Sequence, residues 1–182
     1  MAINKLESII QKRFDILSES FPSSVSYDDK RVKILLKYFG DIKGKKILDV
    51  GCGKGRFAKI MIEKGALITG IELSENLLAE AKQIKRGDFY KGSATQLGFP
   101  DNYFDFVYCI EVLQHVPDTE KAISEMCRVL KKNGNIIIID RNKYSLLRTV
   151  WKKYREIKNK WMYPADFPFQ EKLFSPGYLK NI

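Results

Sequence analysis

Histidine occurs once in this 182-residue chain, at His115, so any imidazole base must be that residue. Cysteine occurs three times, at Cys52, Cys109 and Cys127, an odd number without a CxxC pair. That count argues against a disulfide framework or a zinc site, and free thiols suit a reducing, cytoplasmic setting. No uninterrupted apolar run approaches the roughly 18 residues of a membrane span. The stretch Met1-Ala2-Ile3-Asn4-Lys5-Leu6-Glu7 lacks the basic-then-apolar layout and small-residue cleavage site of a secretory leader. Internal repeats and low-complexity segments are missing as well.

What is present is the composition of a globular domain, 45% hydrophobic and 30% charged, with enough length for one sizeable core. The formal net charge of +10 is unevenly spread: residues 1–140 hold 22 basic and 19 acidic side chains, residues 141–182 hold 10 and 3. An excess confined to one end marks either an element facing nucleic acid or membrane, or the solvated face of a helix.

Hydrophobic periodicity predicts an amphipathic helix over residues 3–19, broken at Phe21-Pro22-Ser23-Ser24, and a second from about Asp28 to Phe39 that starts near Ser26 or Asp28 and ends at Gly40. Strands follow at Lys46–Val50, Leu67–Ile71, Asp88–Lys91, Phe104–Ile110 and Asn135–Asp140. Between them lie helices over Arg56–Lys64, from the Ser74-Glu75-Asn76 cap to about Lys85, and from Asp118 or Thr119 to a stop at Asn133-Gly134. The isoleucine run of the fifth strand predicts burial on both faces. Strands alternating with helices imply right-handed βαβ units and a doubly wound, Rossmann-like α/β sheet, mostly parallel, with expected strand order 3-2-1-4-5.

The chain is organised around Ile47-Leu48-Asp49-Val50-Gly51-Cys52-Gly53-Lys54-Gly55-Arg56-Phe57-Ala58. A buried strand meets a turn with three alternate glycines and then becomes helical, the layout that lets a ligand approach the backbone at the switch point of such a sheet. Glu72, at the tip of the second strand, is placed for a ribose diol, which points to an adenosine-containing ligand. A dinucleotide site uses G-x-G-x-x-G and leaves the helix N-terminus open to pyrophosphate. Here the spacing is G-x-G-x-G and Asp49 stands two residues before the first glycine. An acid there repels pyrophosphate and suits an ammonium, which favours S-adenosylmethionine over a nicotinamide dinucleotide.

ILDVGCGKGRFA followed by TGIELSENLLAEAK resembles the first two motifs of class I S-adenosylmethionine-dependent methyltransferases. KGSATQLGFPDNYFDFVYCIEVLQHVPDTEKAISEMCRVLKKNGNIIIID resembles the rest of the core in small-molecule members of the methyltransferase type 11 kind. The resemblance covers about residues 30–140. It implies Asp49, Gly51, Cys52 and Gly53 around the methionine arm, Glu72 on the ribose, and Leu73 beside the adenine. Ser93-Ala94 falls at the adenine edge, where relatives carry an acid before the small residue, and Ile110 falls at the tip of the fourth strand. The cofactor is then S-adenosylmethionine, the product S-adenosylhomocysteine, and no metal is implied.

Methyl transfer is an in-line displacement on an activated electrophile, so the protein mainly aligns the acceptor and excludes water. Of the residues leaving the fourth strand, His115 is the candidate general base or acceptor-positioning group, with packing against the loop as the bland alternative. Glu111 is the second candidate, lining the pocket or orienting a base. No Asn/Asp-Pro-Pro-Tyr/Phe motif occurs here, which argues against an exocyclic-amine acceptor.

The expected organisation is N-terminal helices acting as a substrate cap over 1–40, a cofactor-binding core over 41–140 and a basic, aromatic helical tail over 141–182. The resemblance implies seven strands, and the sixth and seventh are missing or truncated. The fifth strand is then an edge, to be covered by the tail or paired with a second copy in a homodimer. The tail helix Tyr144–Trp161 belongs to a segment with eight basic residues between Arg141 and Lys160. It suits packing on the body, a membrane surface with a lipid-like substrate, or nucleic acid; peripheral membrane association follows from the second of these. The expected activity is methyl transfer to O or C of a small or lipid-like acceptor. A non-catalytic cofactor-binding partner subunit and an RNA methyltransferase stay open.

Overall fold

The computed structural model describes residues 2–140. The short apolar runs form strands β1 (Lys46–Val50), β2 (Leu67–Glu72), β3 (Gly87–Lys91), β4 (Phe104–Ile110) and β5 (Leu130–Ile139). They make one parallel sheet in the order β3-β2-β1-β4-β5, as expected. Helices α1 (Ala2–Leu17), α2 (Lys30–Phe39), α3 (Arg56–Glu63), α4 (Glu75–Ala81) and α5 (Thr119–Val129) accompany it.

Alternation along β1 divides the interior in two, because successive strand residues point to opposite faces. Ile47 joins Val32, Leu35, Phe57 and Met61 from α2 and α3 on one side. Leu48 and Val50 join Ala122, Met126 and Val129 of α5 on the other. Three helices start on a side-chain cap: Asp29 accepts from Arg31 N at 2.8 Å, Ser74 from Leu77 N at 3.2 Å, and Asp118 from Lys121 N at 2.9 Å. Each such cap contributes about 1 kcal/mol.

Three boundaries differ from the sequence expectation by more than two residues. α4 ends at Ala81 rather than near Lys85. Its last turn tightens through Gln83 N to Glu80 O and Ile84 N to Ala81 O, and Arg86 takes a left-handed φ of +68° to enter β3. β5 begins at Leu130, inside the stretch read as helix, because Leu130 pairs with Phe104. The Asn133-Gly134 signal is therefore a register irregularity within the strand rather than a stop between elements, with Asn133 at φ +69°. Ile136 to Ile139 are half-buried. The tail helix, the segment after it and any cover on the β5 edge lie outside the described residues. No described helix is long and apolar enough to cross a membrane.

Candidate active site

The sheet presents its switch point at the C-terminal tips of β1, β2 and β4. The glycine turn is held there by the amides of Gly51 and Cys52, both of which donate to Ile71 O at 2.9 Å. Two of its glycines serve different ends. Gly51, at φ +73°, leaves no room: a Cβ there would sit 2.3 Å from Val112 Cγ2. Gly53, at φ +55°, has nothing within 4 Å of the Cβ position and lines the cavity, so its bare backbone is what a ligand meets. Gly51→Ala combines left-handed strain with overpacking and is expected to lower stability by about 2–4 kcal/mol. Chemical denaturation would show this as a lower midpoint at unchanged m, and Val112→Ala in the same chain should restore part of it.

Two carboxyls form the cavity floor. Asp49 is buried, and Tyr108 Oη donates to its Oδ2 at 2.7 Å. Burial, reinforced by the nearby charge of Glu72, pushes the Asp49 carboxyl up to about 7, against the lowering pull of Tyr108 and Arg56. Burial also raises Glu72, opposed by the backbone donors it gathers. Oε1 of Glu72 accepts from Leu73 N and Ser74 N, each at 2.8 Å, and Oε2 accepts from Gly53 N at 2.9 Å. A carboxylate offers about four lone-pair sites. In this arrangement one site remains for a ligand, fewer than the two that a ribose diol uses. Glu72 thus also ties β2 to the glycine turn.

The cavity offers about 170 Å³ to the centres of water molecules, far beyond the 10–15 Å³ that a single water requires. Its roof is α1, whose Ile10 and Phe14 line it. At the far end Phe21, Pro22, Val116 and Pro117 make an apolar wall. His115, in a short 3-10 turn after β4, lines this end and meets Phe14 edge-on at 4.9 Å.

Glu111 also lines the cavity, with a left-handed φ of +58° that is costly for a residue with a side chain. Its Oε2 stands 3.3 Å from Arg31 and 3.8 Å from Arg56, so this carboxylate is the counter-ion of an arginine pair. Both guanidiniums approach the Phe57 ring, at 5.1 and 4.9 Å. Arg56 is lowered by burial and by repulsion from Arg31, whereas Asp29, bonded to Arg31, is held down at about 2. A charge-balanced rim of two arginines and two carboxylates therefore stands beside the buried carboxyls of the floor.

Of the residues singled out from sequence, Asp49, Gly51, Cys52, Gly53, Glu72, Leu73, Ser93, Ala94, Ile110, Glu111 and His115 all border this one cavity. Cys52 is buried, and burial, together with Asp49 and Glu72, pushes its thiol well up, so it lines the cavity as a neutral thiol. Sequence reasoning missed Tyr108, Arg56 and Glu7. Tyr108 reads as an ordinary core residue, and only the parallel register that sets it beside Asp49 reveals it. Among the described residues, no group of three or more His, Cys, Asp or Glu is placed to hold a metal ion.

The doubly wound sheet, with its cavity above the strand tips at the switch point, defines a Rossmann-like α/β protein. Residues 48–138, half of the chain, match the methyltransferase domain family. The chain belongs to that family, within the class I S-adenosylmethionine-dependent methyltransferases. It is 33% identical over 148 residues to a ubiquinone biosynthesis O-methyltransferase of Pseudomonas aeruginosa, covering 77% of this chain and 60% of the relative. The chain thus spans about 60% of the length of the relatives it matches. Among solved structures it is similar to the YcgJ protein of Bacillus subtilis, with a TM-score of 0.64, 22% identity and coverage of 82% and 64% of the two chains. An S-adenosylmethionine-dependent methyltransferase from Mesorhizobium loti gives a TM-score of 0.57, 24% identity and coverage of 64% and 56%. These two likenesses concern the fold.

Proposed function

We propose that this chain binds S-adenosylmethionine and transfers its methyl group to a hydroxyl oxygen of a small, planar, largely apolar acceptor. The observation that carries the reading is the cavity floor: two buried carboxyls, both pushed up, at the point where the backbone of Gly53 lies open. Such a floor favours a cationic, phosphate-free ligand. The names of the relatives, which are O-methyltransferases, support oxygen as the acceptor atom. The wall of Phe14, Phe21, Pro22, Val116 and Pro117 supports an aromatic or quinone-like acceptor.

When bound, the cofactor supplies a methyl group already activated on a sulfonium. Asp49 supplies the counter-charge for an ammonium, Glu72 a lone pair for the ribose, and Arg56 a cation for a carboxylate. The apolar wall and α1 keep water from the reacting centre. His115 would take the hydroxyl proton of the acceptor as the methyl carbon exchanges its bond to sulfur for one to that oxygen, with S-adenosylhomocysteine as the leaving group.

The test is a titration with S-adenosylmethionine followed by a transfer screen over phenols, catechols and a prenylated phenol. Methyl transfer to a phenolic oxygen supports the reading, whereas binding without transfer to any acceptor favours a non-catalytic partner subunit. Given an acceptor, His115→Ala should lower turnover by about 100-fold while changing the affinity for S-adenosylhomocysteine less than about threefold. Turnover near that of the wild type would remove His115 from the chemistry.

A further inference from the structure

Helix α1 runs along the cavity mouth and is tied down at two places. Glu7 Oε1 accepts from Ser93 Oγ at 2.6 Å and from Thr95 Oγ1 at 2.9 Å. Further along, Asp15 Oδ1 accepts from Ser74 Oγ at 2.6 Å and from Asn76 N at 3.2 Å. Between these clasps Glu7, Ile10 and Phe14 share one face at the i, i+3, i+7 spacing, and all three line the cavity. Glu7 and Phe14 are about 10 Å apart along the axis. The helix therefore spans the distance from one end of the cavity to the end where His115 stands.

The Glu7 end belongs to β3. Gly92 N donates to Glu72 O at 3.1 Å, and Ser93 follows it, one strand outward from the acid that would hold the ribose. A nucleoside with its sugar at Glu72 and its amino-acid arm toward Asp49 carries its base in this direction, away from β4. Glu7 is the carboxylate that lines this end of the cavity among the described residues. Ser93 gives its hydroxyl proton to Glu7, and Thr95 does the same. Both donors fall on Oε1 of Glu7, and no described residue donates to Oε2. An oxygen of a cavity-lining carboxylate with its lone pairs unused is the complement of an N–H donor. Adenine has one exocyclic donor, the 6-amino group, and its ring nitrogens are acceptors.

Resting on the cofactor reading above, we infer that Glu7 of α1 accepts a hydrogen bond from the 6-amino group of the bound adenine. The acid that reads the base then comes from the roof helix and not from the strand tip, where Ser93 stands. Ser93 and Thr95 are positioning residues that fix the Glu7 rotamer. The same carboxylate then both ties α1 over the cavity and reads the base.

The probes are S-adenosylhomocysteine and its 6-oxo counterpart S-inosylhomocysteine, which has lost the amine and offers an oxygen at that position. A hydrogen bond to a charged acceptor corresponds to a discrimination of roughly 10- to 100-fold. The full chain should bind the adenosine ligand more tightly by about that factor. Glu7→Gln, whose amide can donate to a 6-oxo group, should bring the ratio to about threefold or less. Thr95→Val, which loosens Glu7 without removing it, should narrow the ratio by roughly threefold and serves if the first variant does not fold. A ratio within twofold of the wild type in either folded variant, with S-adenosylhomocysteine still bound, overturns the inference and leaves the cofactor reading intact. Failure of the wild-type chain to bind S-adenosylhomocysteine overturns that reading, and this inference with it.

Discussion

Asp49→Asn is expected to lower the affinity for S-adenosylmethionine by about 1000-fold while leaving the ligand-free protein better folded at slightly alkaline pH. Asparagine keeps an oxygen for the Tyr108 hydroxyl, so the buried hydrogen bond at this position survives. What disappears is the counter-charge for a buried ammonium, and removing one partner of a buried pair costs about 3–5 kcal/mol. The stability effect has the opposite sign. The Asp49 carboxyl stands at about 7 in the folded protein because it is buried, well above the usual value of about 3.9. A raised carboxyl contributes stability that is complete below its unfolded value and is lost as pH rises through its folded one. Near pH 8 the wild type carries a penalty on the order of 2–4 kcal/mol that the asparagine variant lacks. Near pH 4 the difference vanishes. Thermal melts at the two pH values would read this directly, and equal melting at about pH 8 would contradict it.

The same linkage governs ligand binding in the wild type. Below pH 7 the Asp49 carboxyl is protonated in the free protein, and a cation must displace that proton. Affinity for S-adenosylmethionine should then fall about tenfold per pH unit between roughly pH 7 and 5. An α-amino group loses its charge near pH 8, so affinity should fall again on the alkaline side. In Asp49→Asn the acidic limb attributable to this residue disappears. Glu72 is raised in the same direction and contributes to whatever acid dependence remains.

Glu72→Gln should be nearly as damaging, for a different reason. The carboxylate satisfies three backbone donors, Leu73 N and Ser74 N at one oxygen and Gly53 N at the other. Glutamine has one carbonyl oxygen, and its amide nitrogen must face a backbone N–H in either orientation. That donor-against-donor contact in a buried site costs about 1–3 kcal/mol of stability. It also releases Gly53, whose amide is pinned only while the acid is present. Loss of a charged ribose acceptor together with a loosened turn should reduce affinity for S-adenosylhomocysteine by about 300-fold. Equilibrium titration alongside a denaturation curve separates the two effects. An affinity within threefold of the wild type would mean that Glu72 is a structural tie and not a ligand-binding acid.

Much of this arrangement is legible in sequence where the signal is local. The strands β1, β2 and β4 are apolar runs bounded by polar tips, and the glycine turn carries its geometry in its own spacing. The boundaries that differ are those fixed by distant partners. Leu130 continues a helical period, yet the ladder with Phe104 draws it into β5. Gly134 reads as a stop, and it serves instead where a Cβ would come within 2.7 Å of Asp105 O. The site divides in the same way. Asp49 and Glu72 are recognisable because acids at strand tips carry an electrostatic meaning by themselves. Tyr108, Glu7 and the Arg31–Glu111–Arg56 group are joined to the site only through contacts across 59, 86 and 55 residues or more of chain.

If the cavity floor holds a cationic adenosine ligand, as proposed, a calorimetric titration of the 182-residue chain with S-adenosylmethionine and with NAD⁺ in parallel will show it. At about pH 6, in two buffers of different ionisation heat, S-adenosylmethionine should bind saturably with release of close to one proton, and NAD⁺ should give no heat. Binding of NAD⁺ in preference, or S-adenosylmethionine binding with no proton released, would contradict it.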